Sequence, residues 1–203
     1  MSNGNNINIV KRTGQKEELN IEKIHKVVEF ACEGLAGVSS SLIEMNANIQ
    51  FYDGMSTDEI QEILIKSAND LINLDAPNYQ YAAARLLSYA IYKQVFGEYK
   101  TVTLKEMITQ NINRGIYDKA ILESYDDEEL DRLDTYIHHK RDENFTYAGL
   151  RQVVDKYLCQ DRSSGQIFET PQHMYMMIAA TLFANYPKED RMYYVRRYYD
   201  ATS

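Results

Sequence analysis

Three basic residues near the N-terminus have a spacing that suits a phosphate site. Lys11 and Arg12 are adjacent, and the turn-forming pair Thr13 and Gly14 follows them. Lys23 falls in the first turn of a predicted helix, where backbone N–H groups that lack helical partners favour an anion. A Lys-Arg pair beside a turn is also typical of ordinary solvated surface. Charge alone therefore leaves both interpretations open.

The elements that position these cations can be predicted from the neighbouring residues. Residues 9–10 and 17–19 favour two short strands on either side of the turn, which makes a hairpin. Asn20 stands where the N-cap of the following helix belongs. The apolar residues of that helix have helical spacing, at Ile21, Ile24, Val27, Val28 and Ala31.

Three more helices are predicted in the first half of the chain. A helix begins after a cap at residues 39–41 and ends near Ile49, and another begins at a cap formed by Ser56 or Thr57. Its apolar stripe comprises Ile60, Ile63, Leu64, Leu71 and Ile72. The fourth helix covers residues 78–96. Four helices capped by a small sheet would form a first domain over residues 1–100.

Thr57 and Lys93 are two further candidates for a phosphate site in this domain. Thr57 lies at a predicted helix start, where its hydroxyl and the nearby N–H groups could meet a phosphate, although the residue alone favours an ordinary N-cap. Lys93 lies late in the fourth helix, where a cation also interacts favourably with the helix dipole. The residue types alone do not decide either case.

The second half, residues 101–203, is predicted to be helical with one hairpin at about 158–168. Helices are expected at 103–114, 126–139, 147–157, from a Thr170 cap to Phe183, and at 188–201. The acidic run at 126–129 is typical of a charged first helical turn, since no further ligand completes a metal site. The methionine-rich stretch at 174–178 favours a packed core over a cofactor site.

Composition excludes several classes of function. The chain of 203 residues has a formal net charge of −8, and both halves are acidic, so no basic face for nucleic acid is expected. No apolar run reaches membrane length and no signal peptide is evident. Cys32 and Cys159 form no metal-binding or disulfide pattern, so we expect structural thiols in a cytoplasmic protein.

The N-terminal segment resembles the ATP-cone, the regulatory nucleotide-binding module of many ribonucleotide reductases. The resemblance rests on Val10 to Gly14, on Glu17, and on Lys23 with Ile24 at the start of the helix. It covers the fourth helix as well, through the sequence at 75–87. The resemblance implies a mainly α fold with small β elements (α+β), in which four helices are capped by a small sheet.

The same resemblance implies which residues bind the nucleotide. The triphosphate would contact Lys11, Arg12, Lys23, Thr57 and Lys93. The segment around the nucleoside would comprise Glu17, Glu18, Leu19, Asn20, Ile21, Glu22 and Ile24. Gln61 and Ala90 stand where some relatives place histidines, which leaves the number of bound nucleotides and the preference for ATP or dATP open.

The second half extends the resemblance to the large (alpha) subunit of class Ia ribonucleoside-diphosphate reductase. The matching segments are residues 156–172 and 185–201, which are similar to the region between the cone and the catalytic barrel. The family's catalytic cysteines have no counterpart here, so no catalytic residue is assigned and the chain alone should be inactive. The barrel is expected to follow this region, and the chain would be an excised fragment or a split-gene product.

The resemblance further implies an effector and partners. ATP would activate and dATP would inhibit, each with Mg²⁺, by changing how subunits assemble. The partners would be the remainder of the large subunit and the small radical-bearing subunit, in a homo- or hetero-oligomer without nucleic acid or membrane. The alternative is a degenerate cone that serves only as a structural and assembly module.

Overall fold

The computed structural model describes residues 7–203, which form two compact units. The first comprises the described residues up to Ala90 together with Glu143–Arg151, and the second comprises Ile91–Asp142 and Gln152–Ser203. Both are mainly helical and each contains one two-stranded antiparallel sheet. The predicted mainly α fold with small β elements is confirmed, whereas the domain division after residue 100 stays a prediction.

The first half of the chain contains the predicted hairpin and four helices. The elements are β1 (Asn8–Val10), β2 (Lys16–Glu18), α1 (Ile21–Cys32), α2 (Ser40–Asn48), α3 (Thr57–Asp70) and α4 (Tyr79–Phe96). The first three helices begin where their sequences supply a capping side chain, at Asn20, Ser39 and Ser56.

The core of the first unit lies between apolar helix faces. Its most buried side chains include Val28, Ala31, Ile43, Ala47, Leu64, Ile65 and Leu86. The predicted stripe of α3 is correct for Ile60 and Leu64, which are both buried. Ile72 was placed on this stripe wrongly: it follows the end of α3 and is exposed, because the helix stops at Asp70 before the stripe reaches it.

The second half contains more elements than the sequence predicted. They are α5 (Leu104–Asn113), α6 (Ala120–Ser124), α7 (Asp127–Asp134), a 3₁₀ helix (His139–Asn144), α8 (Tyr147–Lys156), β3 (Gln160–Asp161), β4 (Gln166–Ile167), α9 (Pro171–Phe183) and α10 (Lys188–Thr202). The strands β3 and β4 pair antiparallel within the segment predicted as a hairpin. The short helix α6 was not predicted.

The helix predicted over 126–139 is wrong in its length, because α7 ends at Asp134. The hydroxyl of Thr135 donates to the carbonyl of Arg132, 2.7 Å away, and a side chain of this kind competes with helical hydrogen bonding. The N–H of His138 donates to the Tyr199 hydroxyl at 2.9 Å instead of to a carbonyl four residues earlier. A contact distant in sequence therefore helps to end this helix.

The acidic run at 126–129 begins α7, as predicted. Asp126 is the N-cap, and its carboxylate accepts from the N–H of Glu129 at 2.9 Å. Glu129 is buried and forms a bidentate ion pair with Arg191 of α10. Burial by itself would raise the pKa of Glu129, but hydrogen bonds from Arg191 and from the backbone together outweigh it and lower the pKa. The run thus caps a helix and anchors its neighbour.

The helices α9 and α10 form the largest packed pair of the second unit. Met176 and Ala179 pack in one apolar cluster with Val195 and Tyr199, so the methionine-rich stretch contributes to the core as predicted. Thr170 stands at the N-cap of α9 but its side chain makes no capping bond, which corrects its predicted role. Its hydroxyl lies 2.8 Å from His173 Nδ1 instead.

His173, on α9, is a buried titratable side chain whose protonation should depend on folding. It is fully buried, and its ring centroid lies 5.0 Å from that of His139. Burial, and then repulsion from His139, lower the pKa of His173 from 6.5 to about 3. The folded state therefore holds this imidazole neutral at pH values where the unfolded chain would protonate it.

We expect His173 to make folding stability fall with pH below about 6.5. Between pH 6.5 and 3 only the unfolded state takes up this proton, so the free energy of unfolding decreases by up to ~1.4 kcal/mol per pH unit. Urea unfolding from pH 7 to pH 5 should show a shallower decrease for His173→Gln than for the wild type. Equal slopes for wild type and His173→Gln would contradict this role.

Candidate functional site

The hairpin presents Lys11 and Arg12 at its turn. Strands β1 and β2 pair with Val10 opposite Lys16, and the turn is closed by hydrogen bonds from Gly14 N to Lys11 O (2.8 Å) and from Lys11 N to Gln15 O (2.9 Å). Gly14 has a φ of 81°, a left-handed conformation that glycine adopts without a steric penalty. Local sequence thus brings the two cations to the end of the hairpin.

Backbone hydrogen bonds attach β1 to the segment that precedes α3. The N–H of Val10 donates to the carbonyl of Met55 at 2.9 Å, and the N–H of Gly54 donates to the carbonyl of Asn8 at 2.7 Å. Asp53 accepts from the backbone and side-chain nitrogens of Asn8 at 2.8 and 3.1 Å, which lowers its pKa. These bonds place the turn of the hairpin beside the N-terminus of α3.

The N-terminus of α3 is held by a capping box. Ser56 is the N-cap, its hydroxyl accepts from the N–H of Glu59 at 3.1 Å, and the Glu59 carboxylate accepts from the N–H of Ser56 at 2.7 Å. A hydrogen bond from the Tyr52 hydroxyl and those from Ser56 lower the pKa of Glu59 to about 2. The helix start is therefore ordered without Thr57.

Thr57 is the first residue of α3, so the ordinary N-cap explanation for it is wrong. Within residues 7–203 its hydroxyl makes no hydrogen bond. The side chain is half-buried next to the first N–H groups of the helix. It can therefore donate to an anion that approaches α3.

Carboxylates accompany two of the three basic residues near the N-terminus. Lys11 Nζ lies 2.6 Å from Glu17 Oε2 across the hairpin, and Arg12 Nε and Nη2 each lie 2.7 Å from Asp58 Oδ1 at the start of α3. The hydrogen bond from Lys11 is the main cause of the lowered pKa of Glu17, and the charge of Lys23 adds to it. Both lysines therefore stabilise the charged form of the Glu17 carboxylate.

The segment predicted to surround the nucleoside has both buried and exposed side chains. Asn20 accepts from the N–H of Lys23 at 3.0 Å as the cap of α1. Ile21 is 61% exposed, whereas Ile24 is 8% exposed and belongs to the core. Leu19 is half-buried. Glu18 and Glu22 are exposed, and of the two isoleucines Ile21 has the larger exposed surface.

Gln61, which stands where some relatives place a histidine, lies on α3, and the predicted site residue Lys93 lies on α4. Gln61 donates from Nε2 to the carbonyl of Leu86 at 2.9 Å. Lys93, in the last turn of α4, belongs to the second unit, which takes in the chain from Ile91 to Asp142. Its part in the nucleotide site stays a prediction.

Sequence reasoning missed Asp58 and Asp53. Asp58 directly follows Thr57 at a predicted helix start, where an acidic residue is common. Nothing in its local sequence shows that it pairs with Arg12, which lies 46 positions earlier in the chain. Asp53 accepts from Asn8, 45 positions earlier in the chain, and its local sequence does not show this contact either.

Comparison with known proteins finds two protein families that match parts of this chain. Residues 7–94 match the ATP cone domain, and residues 143–203 match the ribonucleotide reductase all-alpha domain. Together the two matches take in the hairpin, the helices α1 to α3, and the pair α9 and α10. The chain is thus an ATP-cone protein with a helical region of the reductase type.

Similar proteins identify the family further. The chain is 46% identical over 198 residues to ribonucleoside-diphosphate reductase 1 subunit alpha of Escherichia coli K12, covering 98% of this chain and 26% of that protein. It is 44% identical over 195 residues to the alpha subunit of Haemophilus influenzae (96% and 26%) and 41% identical over 199 residues to that of enterobacteria phage T4 (97% and 26%).

The chain therefore belongs to the ribonucleoside-diphosphate reductase alpha-subunit family and corresponds to its N-terminal region. It spans about a quarter of the length of the curated relatives that it matches. None of the helices described for residues 7–203 combines the length and apolar character that a membrane span requires.

The capping box should be needed to keep the start of α3 in place. Ser56→Ala removes one capping bond and deprives Glu59 of a partner, so we expect a loss of about 1 kcal/mol in the free energy of unfolding. Faster amide hydrogen exchange at residues 56–60 would localise the effect. Ser41→Ala, at an exposed position of α2, should stay within about 0.5 kcal/mol of wild type; equal effects of both changes would contradict the capping role.

Proposed function

We propose that the first unit binds ATP or dATP, with Mg²⁺, between the turn of the hairpin and the N-terminus of α3. The observation that carries this proposal is the backbone pairing of β1 with residues 54–56, which brings Lys11 and Arg12 to the N–H groups that begin a helix. Such N–H groups and cations together suit a chain of phosphates. The match to the ATP cone domain supports the same site.

The triphosphate would bind by replacing carboxylates. Lys11, Arg12 and Lys23 supply positive charge, and Thr57 supplies a hydroxyl at the helix start. Because Lys11 and Arg12 already pair with Glu17 and Asp58, the phosphates exchange one anionic partner for another. Mg²⁺ would accompany the phosphates and lower their net charge in this exchange.

The nucleoside would lie along the segment from Glu17 to Ile24. Ile21 offers an exposed apolar surface for the base, and Glu17 can accept hydrogen bonds from ribose or base when Lys11 turns to a phosphate. Asn20 uses Oδ1 as a helix cap, so its Nδ2 group remains as a donor. Glu18, Leu19, Glu22 and Ile24 would shape this segment without direct contact to the phosphates.

The binding event would regulate a ribonucleoside-diphosphate reductase. We infer that ATP activates and dATP inhibits by favouring different assemblies with the remainder of the large subunit and a small radical-bearing subunit. Such a mechanism requires the assemblies to bind the effectors unequally, typically by 1–3 kcal/mol of coupling. The alpha-subunit names of the relatives support the assignment to the reductase. The predicted cytoplasmic location stays a prediction.

Calorimetric titration of the chain with Mg²⁺-ATP and Mg²⁺-dATP tests the proposed site. We expect saturable binding that weakens at least about tenfold in Lys11→Ala, because a charge-assisted bond to a phosphate contributes about 1.5–3 kcal/mol. Lys26→Ala is the matched control, since Lys26 is an exposed lysine of α1 outside the predicted site. A folded wild-type chain that binds neither nucleotide would favour a purely structural cone.

Lys93 requires its own test. If it contacts the triphosphate, Lys93→Ala should weaken Mg²⁺-dATP binding by a similar factor while the helix content stays unchanged. Lys66→Ala, at an exposed position of α3, serves as the control for a general loss of positive charge. An unchanged dissociation constant for Lys93→Ala would remove this residue from the site and leave the hairpin cations in place.

A further inference from the structure

The ion pair between Arg12 and Asp58 stands out among the charged contacts of the first unit. Both Arg12 Nε and Arg12 Nη2 lie 2.7 Å from the same carboxylate oxygen, Asp58 Oδ1. The pair joins the hairpin turn to the first turn of α3. These are the two elements that define the proposed phosphate site, and the pair lies at their junction.

Two other carboxylates near this junction, Asp53 and Glu59, accept hydrogen bonds from the backbone. Asp53 accepts from the backbone N–H of Asn8, and Glu59 accepts from the backbone N–H of Ser56. Within residues 7–203, Asp58 accepts hydrogen bonds from the guanidinium of Arg12 alone. Its carboxylate therefore does not hold the local backbone and can leave without breaking a cap or a turn.

Asp58 neutralises the positive charge of Arg12, as a bound phosphate would. It occupies the guanidinium face that a phosphate oxygen would use, since carboxylates and phosphates bind the same N–H groups of arginine. It lies at the second position of α3, where the helix N-terminus favours a negative charge. A carboxylate there opposes an incoming phosphate both by occupying Arg12 and by like-charge repulsion.

Resting on the function proposed above, we propose that Asp58 is an autoinhibitory residue of the nucleotide site. Without nucleotide its carboxylate holds Arg12, and the triphosphate must displace it before Arg12 can bind a phosphate. Asp58 thereby weakens the affinity of the site for ATP and dATP. The effector concentration at which the protein responds is raised accordingly.

Asp58→Asn tests this competition because it removes the charge and keeps the side-chain shape. Titration with Mg²⁺-ATP and Mg²⁺-dATP should give dissociation constants about threefold to fivefold lower than wild type, the range expected for an exposed ion pair. Asp70→Asn, at the exposed C-terminal end of the same helix, is the matched control and should change them little. Circular dichroism should show that both variants are folded, and Asp58→Ser replaces the first variant if it is not.

A double variant identifies the mechanism. In an Arg12→Ala background, Asp58→Asn should increase affinity less than in the wild type, because no guanidinium remains to be released. An equal gain in both backgrounds would show repulsion without competition for Arg12 and would overturn the autoinhibitory pair.

The remaining outcomes separate this inference from the proposed function. If the wild type binds nucleotide, Lys11→Ala weakens binding, and Asp58→Asn leaves it unchanged or weaker, the nucleotide site stands and the role of Asp58 is refuted. If neither the wild type nor Asp58→Asn binds, both proposals fail. If only Asp58→Asn binds, the carboxylate masks a competent site, as proposed.

Discussion

The first unit depends on a short set of backbone hydrogen bonds that attach β1 to residues 54–56. The bonds from Val10 N to Met55 O and from Gly54 N to Asn8 O join segments far apart in the sequence. A two-stranded hairpin alone is marginally stable in water, so this attachment is what gives the hairpin a fixed position. The proposed phosphate site depends on this attachment, because the attachment brings the turn of the hairpin to the start of α3.

The electrostatics of that junction are balanced. Lys11 and Arg12 would repel each other and Lys23 if they were left without counter-charges, and Glu17 and Asp58 provide these. The two acids differ in origin, since Glu17 lies on the hairpin and Asp58 on α3. A site built in this way stays compact without a ligand, and it binds an anion by exchanging partners. Its affinity then depends on the acids as much as on the cations.

The second unit uses charged and polar groups for a different purpose. Buried Asp142 accepts from Tyr92 and Gln172, each at 2.9 Å, and buried Glu129 pairs with Arg191. Buried charges of this kind must be fully hydrogen-bonded to be tolerated. They fix the positions of α7, α9 and α10. These networks hold helices of the second unit together. The proposed phosphate site at the hairpin turn and the start of α3 lies in the first unit.

The sequence by itself determined the local features of this protein, and the tertiary structure decided which distant groups meet. Helix starts at Asn20 and Ser56 and the turn at Gly14 were predictable, because each signal acts within a few residues. The family could be predicted from motifs that stay contiguous in the chain, and the residues proposed to surround the nucleotide stay a prediction from the same resemblance. The pairing of Arg12 with Asp58 and the end of α7 near Tyr199 depend on packing between segments distant in sequence. No local pattern encodes such a contact, since the position of the partner is fixed only when the chain folds.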